Sequence, residues 1–212
     1  MNAARFALLA CVWIVGVAPL HAAVVEPFIS EIHYDNAGAD VAEFVAVTGP
    51  QGLDLSGWEI ALYNGSNGSV YGVLPLSGVL QAGSGELIEA YWPASGLQNG
   101  PDAIALISGS GAVADFIAYE QAVTASDGAA AGATARLLPL SEGSSTLVGD
   151  SLQRVGALDD WIWMAGAASP GVVNPGLQWP NAVALPLPTV FGLWLIGVTG
   201  WIVMRTGSHR SD

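Results

Sequence analysis

The chain contains no lysine, and its five basic residues, all arginine, face 18 acids. A protein that holds nucleic acid by neutralising phosphates is nearly excluded by that balance. Charge of either sign is scarce, at 11% of 212 residues, which argues against long solvated helices, coiled coils and disorder. There is one cysteine, Cys11, and the three histidines are His21, His33 and His209. No Gly-x-Ser-x-Gly elbow and no His-x-x-x-His pair occurs, so the usual hydrolase signatures are missing. What the chain has in quantity is apolar residues (52%) and glycine (27 residues), with 12 prolines: many turns and little room for long helices.

The two ends differ in composition from the middle. Residues 1–23 read as a signal peptide, with Arg5 as the positive start, residues 6–17 as the apolar segment and Ala22 and Ala23 as the small residues that close it. Cleavage there removes Cys11 and leaves a mature chain that can form no disulfide. Leu8-Leu9-Ala10-Cys11 offers a rival lipoprotein reading, at the expense of a very short apolar segment. Near the other end, no charged side chain lies between Asp160 and Arg205. Residues 189–204 amount to roughly 24 Å of helix, and residues 185–188 bring that close to the ~30 Å of a hydrocarbon core. A transmembrane helix at 189–204 is therefore expected, with a linker at 179–188 and a short basic tail at 205–212 on the cytoplasmic side. A buried core helix is the plain alternative.

Between the ends, residues 24–178 carry the pattern of an all-β domain. Trp58, Ile60 and Leu62 alternate with Glu59, Ala61 and Tyr63, so these three form one face of a strand and are expected in the core. Residues 28–34 alternate in the same way, and further strands are expected at 41–48, 69–74, 86–92, 103–108, 113–119 and 151–155. Asn64-Gly65, Asn67-Gly68, Asn99-Gly100 and Gly109-Ser110-Gly111 punctuate them as turns. Residues 121–150, rich in Ala, Gly, Ser and Thr, read as a long loop with a short strand at 135–138. Many short strands without helical intervals predict a β-sandwich or barrel.

Three sharper readings compete with that plain one. His33 is the only imidazole in residues 24–181, which is too little for a base, a nucleophile and a metal cluster together. Gly109-Ser110-Gly111-Ala112-Val113-Ala114 loosely fits a nucleotide-binding loop, but no helical pattern follows and a hairpin suits it better. Asp35, Asn36, Asp40 and Glu43 gather hard oxygen ligands around Gly38 and are candidate Ca²⁺ ligands. Their spacing is not that of an EF-hand, and an Asx-rich turn is the commoner use of such residues. Asn64-Gly65-Ser66 and Asn67-Gly68-Ser69 also match a glycosylation acceptor, against which the turn reading is preferred.

Two resemblances add to this reading. Ala184-Leu185-Pro186-Leu187-Pro188, the apolar stretch 189–204, then Arg205 and Arg210 resemble the Pro-Leu-Pro variant of a PEP-CTERM sorting signal. Leu187 stands where the commonest form has Glu. The resemblance implies recognition by an exosortase, a membrane protease-transpeptidase, and delivery to the bacterial envelope or extracellular matrix. Ile29-Ser30-Glu31-Ile32-His33-Tyr34-Asp35-Asn36, Glu43-Phe44-Val45 and Asp54-Leu55-Ser56-Gly57-Trp58 resemble the opening of a lamin-tail domain. Asp102 to Leu106, Asp115 to Tyr119, Ser151-Leu152-Gln153-Arg154 and Ser169-Pro170-Gly171 with Asn174 continue that likeness. It implies an immunoglobulin-like β-sandwich used for binding or attachment, with no catalytic residues and no resident cofactor. The expected partners are the membrane through the C-terminal helix, the sorting protease, and a surface protein or polysaccharide. The other functional class is an accessory module of a secreted nuclease or phosphatase system.

Overall fold

Alternating apolar residues give each strand one face to bury, and among the described residues eleven strands do so in two stacked sheets. The structure is a computed structural model that describes residues 26–80, 87–157 and 160–178. The signal peptide at 1–23, the Pro186-Leu187-Pro188 motif, the span at 189–204 and the tail with Arg205 and Arg210 lie outside the described residues. The strands are β1 (Phe28–His33), β2 (Phe44–Pro50), β3 (Glu59–Asn64), β4 (Val70–Pro75), β5 (Leu87–Pro93) and β6 (Asp102–Ile107). They continue with β7 (Val113–Tyr119), β8 (Arg136–Leu137), β9 (Asp150–Ala157), β10 (Ile162–Ala167) and β11 (Leu177–Gln178). Among the described residues there is no helix, and so none long and apolar enough to cross a membrane.

The larger sheet runs β10-β9-β1-β2-β5, with β11 added beside β9 in parallel. The smaller runs β4-β3-β6-β7-β8, antiparallel except for the parallel β7–β8 pair. Ile29, Ile32, Val45 and Val47 of the first sheet meet Ile60, Leu62, Ile104, Leu106 and Ile117 of the second in one buried cluster. The described chain is thus all-β, built of two layers about a shared core.

Two local departures from strict alternation shape this core. Ile29 and Ile32, three residues apart, both enter it because the β1–β2 register shifts between Ile29 and Glu31. A bulge at Ser30 therefore swaps the faces of the strand. Trp58, just ahead of β3, is only half-buried and packs against the rim of the cluster that holds Ile60 and Leu62. Trp163 of β10 is the tryptophan inside that cluster.

The outer face of the larger sheet is covered as well, which is why all of β1 is buried. Residues 168–176 cross over β1 and reach β5, where an added Cβ at Gly171 would touch the Tyr91 ring at 3.4 Å. Residues 139–146 fold over the end of β1. Neither segment has apolar alternation, and polar side chains of the strands below hold both in place.

Candidate functional site

Several of the polar residues singled out in the sequence converge on three buried clusters, each of which ties strand β1 to distant parts of the chain. In the first, Glu31 of β1 holds residues 168–176. Its carboxylate accepts hydrogen bonds from the Ser169 amide (2.8 Å), the Ser169 hydroxyl (3.1 Å) and the Gln153 amide (3.3 Å), and from the Ser151 hydroxyl. Asn174 completes the arrangement by donating from Nδ2 to the Ser30 carbonyl (2.8 Å) and the Arg154 carbonyl (3.1 Å). Beside it, Glu89 Oε2 on β5 accepts from the Ser30 hydroxyl (2.8 Å) and the Thr48 hydroxyl (3.2 Å), while Glu89 Oε1 is buried without a hydrogen-bond partner. Burial, with Glu31 nearby, pushes the Glu89 carboxyl up to about 7, against the pull of its hydroxyl donors.

The second cluster surrounds His33, which is 2% exposed. Its Nδ1 faces Glu142 Oε1 at 2.9 Å and its Nε2 faces the Val41 carbonyl at 3.2 Å. Both neighbours are acceptors, so both nitrogens are satisfied only in the imidazolium form. In agreement, the bond to Glu142 raises the His33 pKa despite the opposing effect of burial. The other oxygen of Glu142 accepts from the amides of Tyr34 (2.6 Å) and Asp35 (3.1 Å), and the Glu142 amide donates back to the Tyr34 hydroxyl (2.8 Å). Tyr34 also stacks on Tyr119 of the opposite sheet with centroids 3.9 Å apart.

The third cluster joins the layers. Arg154 on β9 donates to Asp115 Oδ2 on β7 at 2.8 Å, and the same oxygen accepts the Ile29 amide at 3.1 Å. The guanidinium carbon sits 5.0, 4.9 and 5.2 Å from the ring centroids of Phe28, Trp161 and Trp163. Three aromatic faces and one carboxylate thus replace the water that a buried cation gives up. Burial lowers the Arg154 pKa, with Asp115 opposing that shift.

In the candidate calcium loop, Asn36, Asp40 and Glu43 are engaged by neighbouring protein groups. Asn36 donates to the Ala37 and Ala39 carbonyls and accepts the Val41 amide, which makes it the staple of its own loop. Glu43 accepts the Gly96 amide at 2.7 Å, and Asp40 accepts from the Asn99 side chain at 3.0 Å. Asp35 is raised chiefly by burial and then by the adjacent Asp40. No group of three or more His, Cys, Asp or Glu among the described residues is placed to share a metal ion. The Gly109-Ser110-Gly111 stretch is a hairpin turn closed by Ser108 and Ala112 backbone bonds, with Gly111 at φ +83°.

Sequence reasoning did not find Glu89 or Glu142, nor the partnership of Arg154 with Asp115. A signal existed for Glu142 in hindsight, since it is the single acid in residues 128–149, where polar and small residues dominate. Searches against protein-family models, curated proteins and solved structures find no match to the chain.

Proposed function

We propose that this chain is a secreted, envelope-anchored β-sandwich of the lamin-tail type, immunoglobulin-like in topology, which binds or attaches at the cell surface without catalysing a reaction. The observation that carries this reading is the use made of its polar residues. Glu31, His33, Asn36, Asp115, Arg154, Ser169 and Asn174, which are among the residues that carry the lamin-tail resemblance, are engaged in holding segments of the domain together. The single imidazole of the domain has both nitrogens occupied by protein acceptors. Anchoring rests on the sequence: the uncharged stretch ending at Arg205 and the PEP-CTERM-like order of Pro186-Leu187-Pro188, apolar span, Arg205 and Arg210.

Protease added to intact spheroplasts tests the placement. Residues 24–181 are expected to be digested, while truncation after Asn181 is expected to release the protein into the medium. Protection of the domain in intact spheroplasts sinks the proposal.

A further inference from the structure

Asparagine is chemically labile, and most so before glycine, whose missing Cβ lets the following backbone nitrogen swing onto the asparagine Cγ. Three such pairs occur: Asn64-Gly65 and Asn67-Gly68 in the β3–β4 hairpin, and Asn99-Gly100 just ahead of β6. In the hairpin both glycine nitrogens are engaged. The Gly65 amide donates to Asp102 Oδ1 at 2.8 Å and the Gly68 amide to the Asn64 carbonyl at 2.7 Å. Backbone also stands close on both, since an added Cβ at Gly65 or Gly68 would collide with the Pro101 or Thr124 carbonyl. The side chains are pinned as well. Asn64 Oδ1 accepts the Ser66 amide (2.9 Å), and Asn67 Oδ1 accepts the Ser69 amide (2.9 Å) and hydroxyl (2.8 Å). Asn99-Gly100 differs. Among the described residues no acceptor engages the Gly100 amide, and nothing lies nearer its Cβ position than Glu120 Oε2 at 3.8 Å. Asn99 is exposed, and its one hydrogen bond runs from Nδ2 to Asp40 Oδ2 at 3.0 Å.

We propose that Asn99 is a modification site, which deamidates spontaneously in the folded domain and so unties the Asn99-Gly100 turn from the facing loop at 37–41. The Gly100 nitrogen, after giving its proton to hydroxide, attacks Asn99 Cγ. The new N–Cγ bond forms as the Cγ–Nδ2 bond breaks, and Nδ2 leaves as ammonia with a proton taken from solvent. The resulting five-membered imide takes up one water molecule and opens at either of its carbonyls, giving aspartate or isoaspartate at 99. Water is the only co-reactant and nothing is oxidised. Either product puts a carboxylate where an amide donor faced Asp40. Asp40 already has Asp35 beside it, so a third negative charge drives the turn and the loop apart. Neighbouring ties confine the release. Glu43 still accepts the Gly96 amide at 2.7 Å, and the Gln98 carbonyl still accepts the Tyr119 hydroxyl at 3.0 Å. The change runs one way, so the share of modified molecules records their age.

The test keeps the full native chain in detergent at mildly alkaline pH and follows all three pairs by peptide mass mapping, which reads the exchange of amide for acid. Having to free a glycine amide from its hydrogen bond before attack slows the step by roughly tenfold, and the packing at Gly65 and Gly68 slows it further. Asn99 is therefore expected to react at least about tenfold faster than Asn64 and Asn67 in the folded chain, with isoaspartate appearing at 99. In the same chain unfolded in denaturant, the three pairs are expected to react at similar rates. Asn64 or Asn67 reacting as fast as Asn99 in the folded chain overturns the proposal, as does Asn99 remaining an amide there while the unfolded chain reacts. Asn99→Asp checks the consequence. Backbone amides of residues 37–41 are expected to exchange with deuterium several-fold faster than in the parent, and unchanged exchange there overturns the untying.

Discussion

At the scale of single residues, stability rests on a few ionisable side chains held in unusual surroundings. Glu89 has a folded pKa of about 7 against an ordinary 4.5, so the folded state binds its proton more tightly than the unfolded chain does. Its contribution is therefore greatest at low pH and is lost as pH rises between these two values. The size is on the order of 3 kcal/mol for a shift of that extent. His33 acts in the same direction, since its raised pKa adds stability that is complete below 6.5 and fades as pH rises through the folded value. The domain should therefore melt at a higher temperature at pH 5 than at pH 8, and Glu89→Gln should flatten much of that slope by raising the melting temperature at pH 8. Calorimetry at the two pH values decides it: an unchanged slope in the variant assigns the dependence elsewhere. Arg154 makes a different demand, because Asp115 and the Ile29 amide are arranged around its charge. Arg154→Ala empties the space between three rings and strands Asp115, at an expected cost of about 3–5 kcal/mol in denaturant unfolding. A loss below 1 kcal/mol would mean that neither the ion pair nor the ring contacts of Arg154 support the fold.

At the scale of elements, turns fix how strands meet. The β3–β4 hairpin closes through Asn64, whose carbonyl accepts the Gly68 amide at 2.7 Å, while Gly65 lies against the Pro101 carbonyl. A Cβ at Gly65 would collide with that backbone atom, so Gly65→Ala is expected to cost about 1–3 kcal/mol, as overpacking does. Gly111→Ala serves as the comparison, because its Cβ meets nothing and only the positive φ is penalised. Equal melting shifts for the two variants would refute the close approach. The eight long strands expected from alternation are present as β1 to β7 and β9, with ends moved by up to three residues, and the short β8 lies within 135–138. β1, β2, β3, β6 and β9 were legible because each buries a continuous side, and the partly buried β4 because turn signals bound it. β10 was not legible: Gly and Ala fill half of it, both its faces are partly exposed, and one tryptophan makes no period. β11, two residues long, is set by its pairing with β9. For the candidate site, the loop of Asp35, Asn36, Asp40 and Glu43 was visible as a cluster, but its donors could not be. The Asn99 side chain and Gly96 amide that engage Asp40 and Glu43 come from over 50 residues away. Likewise, nothing near His33 in sequence names Glu142, 109 residues on.

At the scale of the whole molecule, a surplus of acid decides which partners can approach. Residues 24–181 have a formal charge of −15 from two arginines and 17 acids, and both arginines lean on Asp115. A phosphate backbone brought to such a surface gains no released counterions and meets repulsion that strengthens as salt is lowered. Cleaving a phosphodiester asks for more still, namely a metal cage or a free base beside the scissile bond. His33, the one imidazole in this region, is buried between Glu142 and the Val41 carbonyl, so a base there would first have to break its own packing. The purified full chain is therefore expected to leave plasmid DNA and a simple phosphoester intact with Mg²⁺, Mn²⁺ or Ca²⁺. It should also fail to retard DNA in a gel at low ionic strength, where electrostatic binding is strongest. Metal-dependent cleavage that disappears in a correctly folded His33→Ala protein would overturn this reading and favour the nuclease- or phosphatase-associated one.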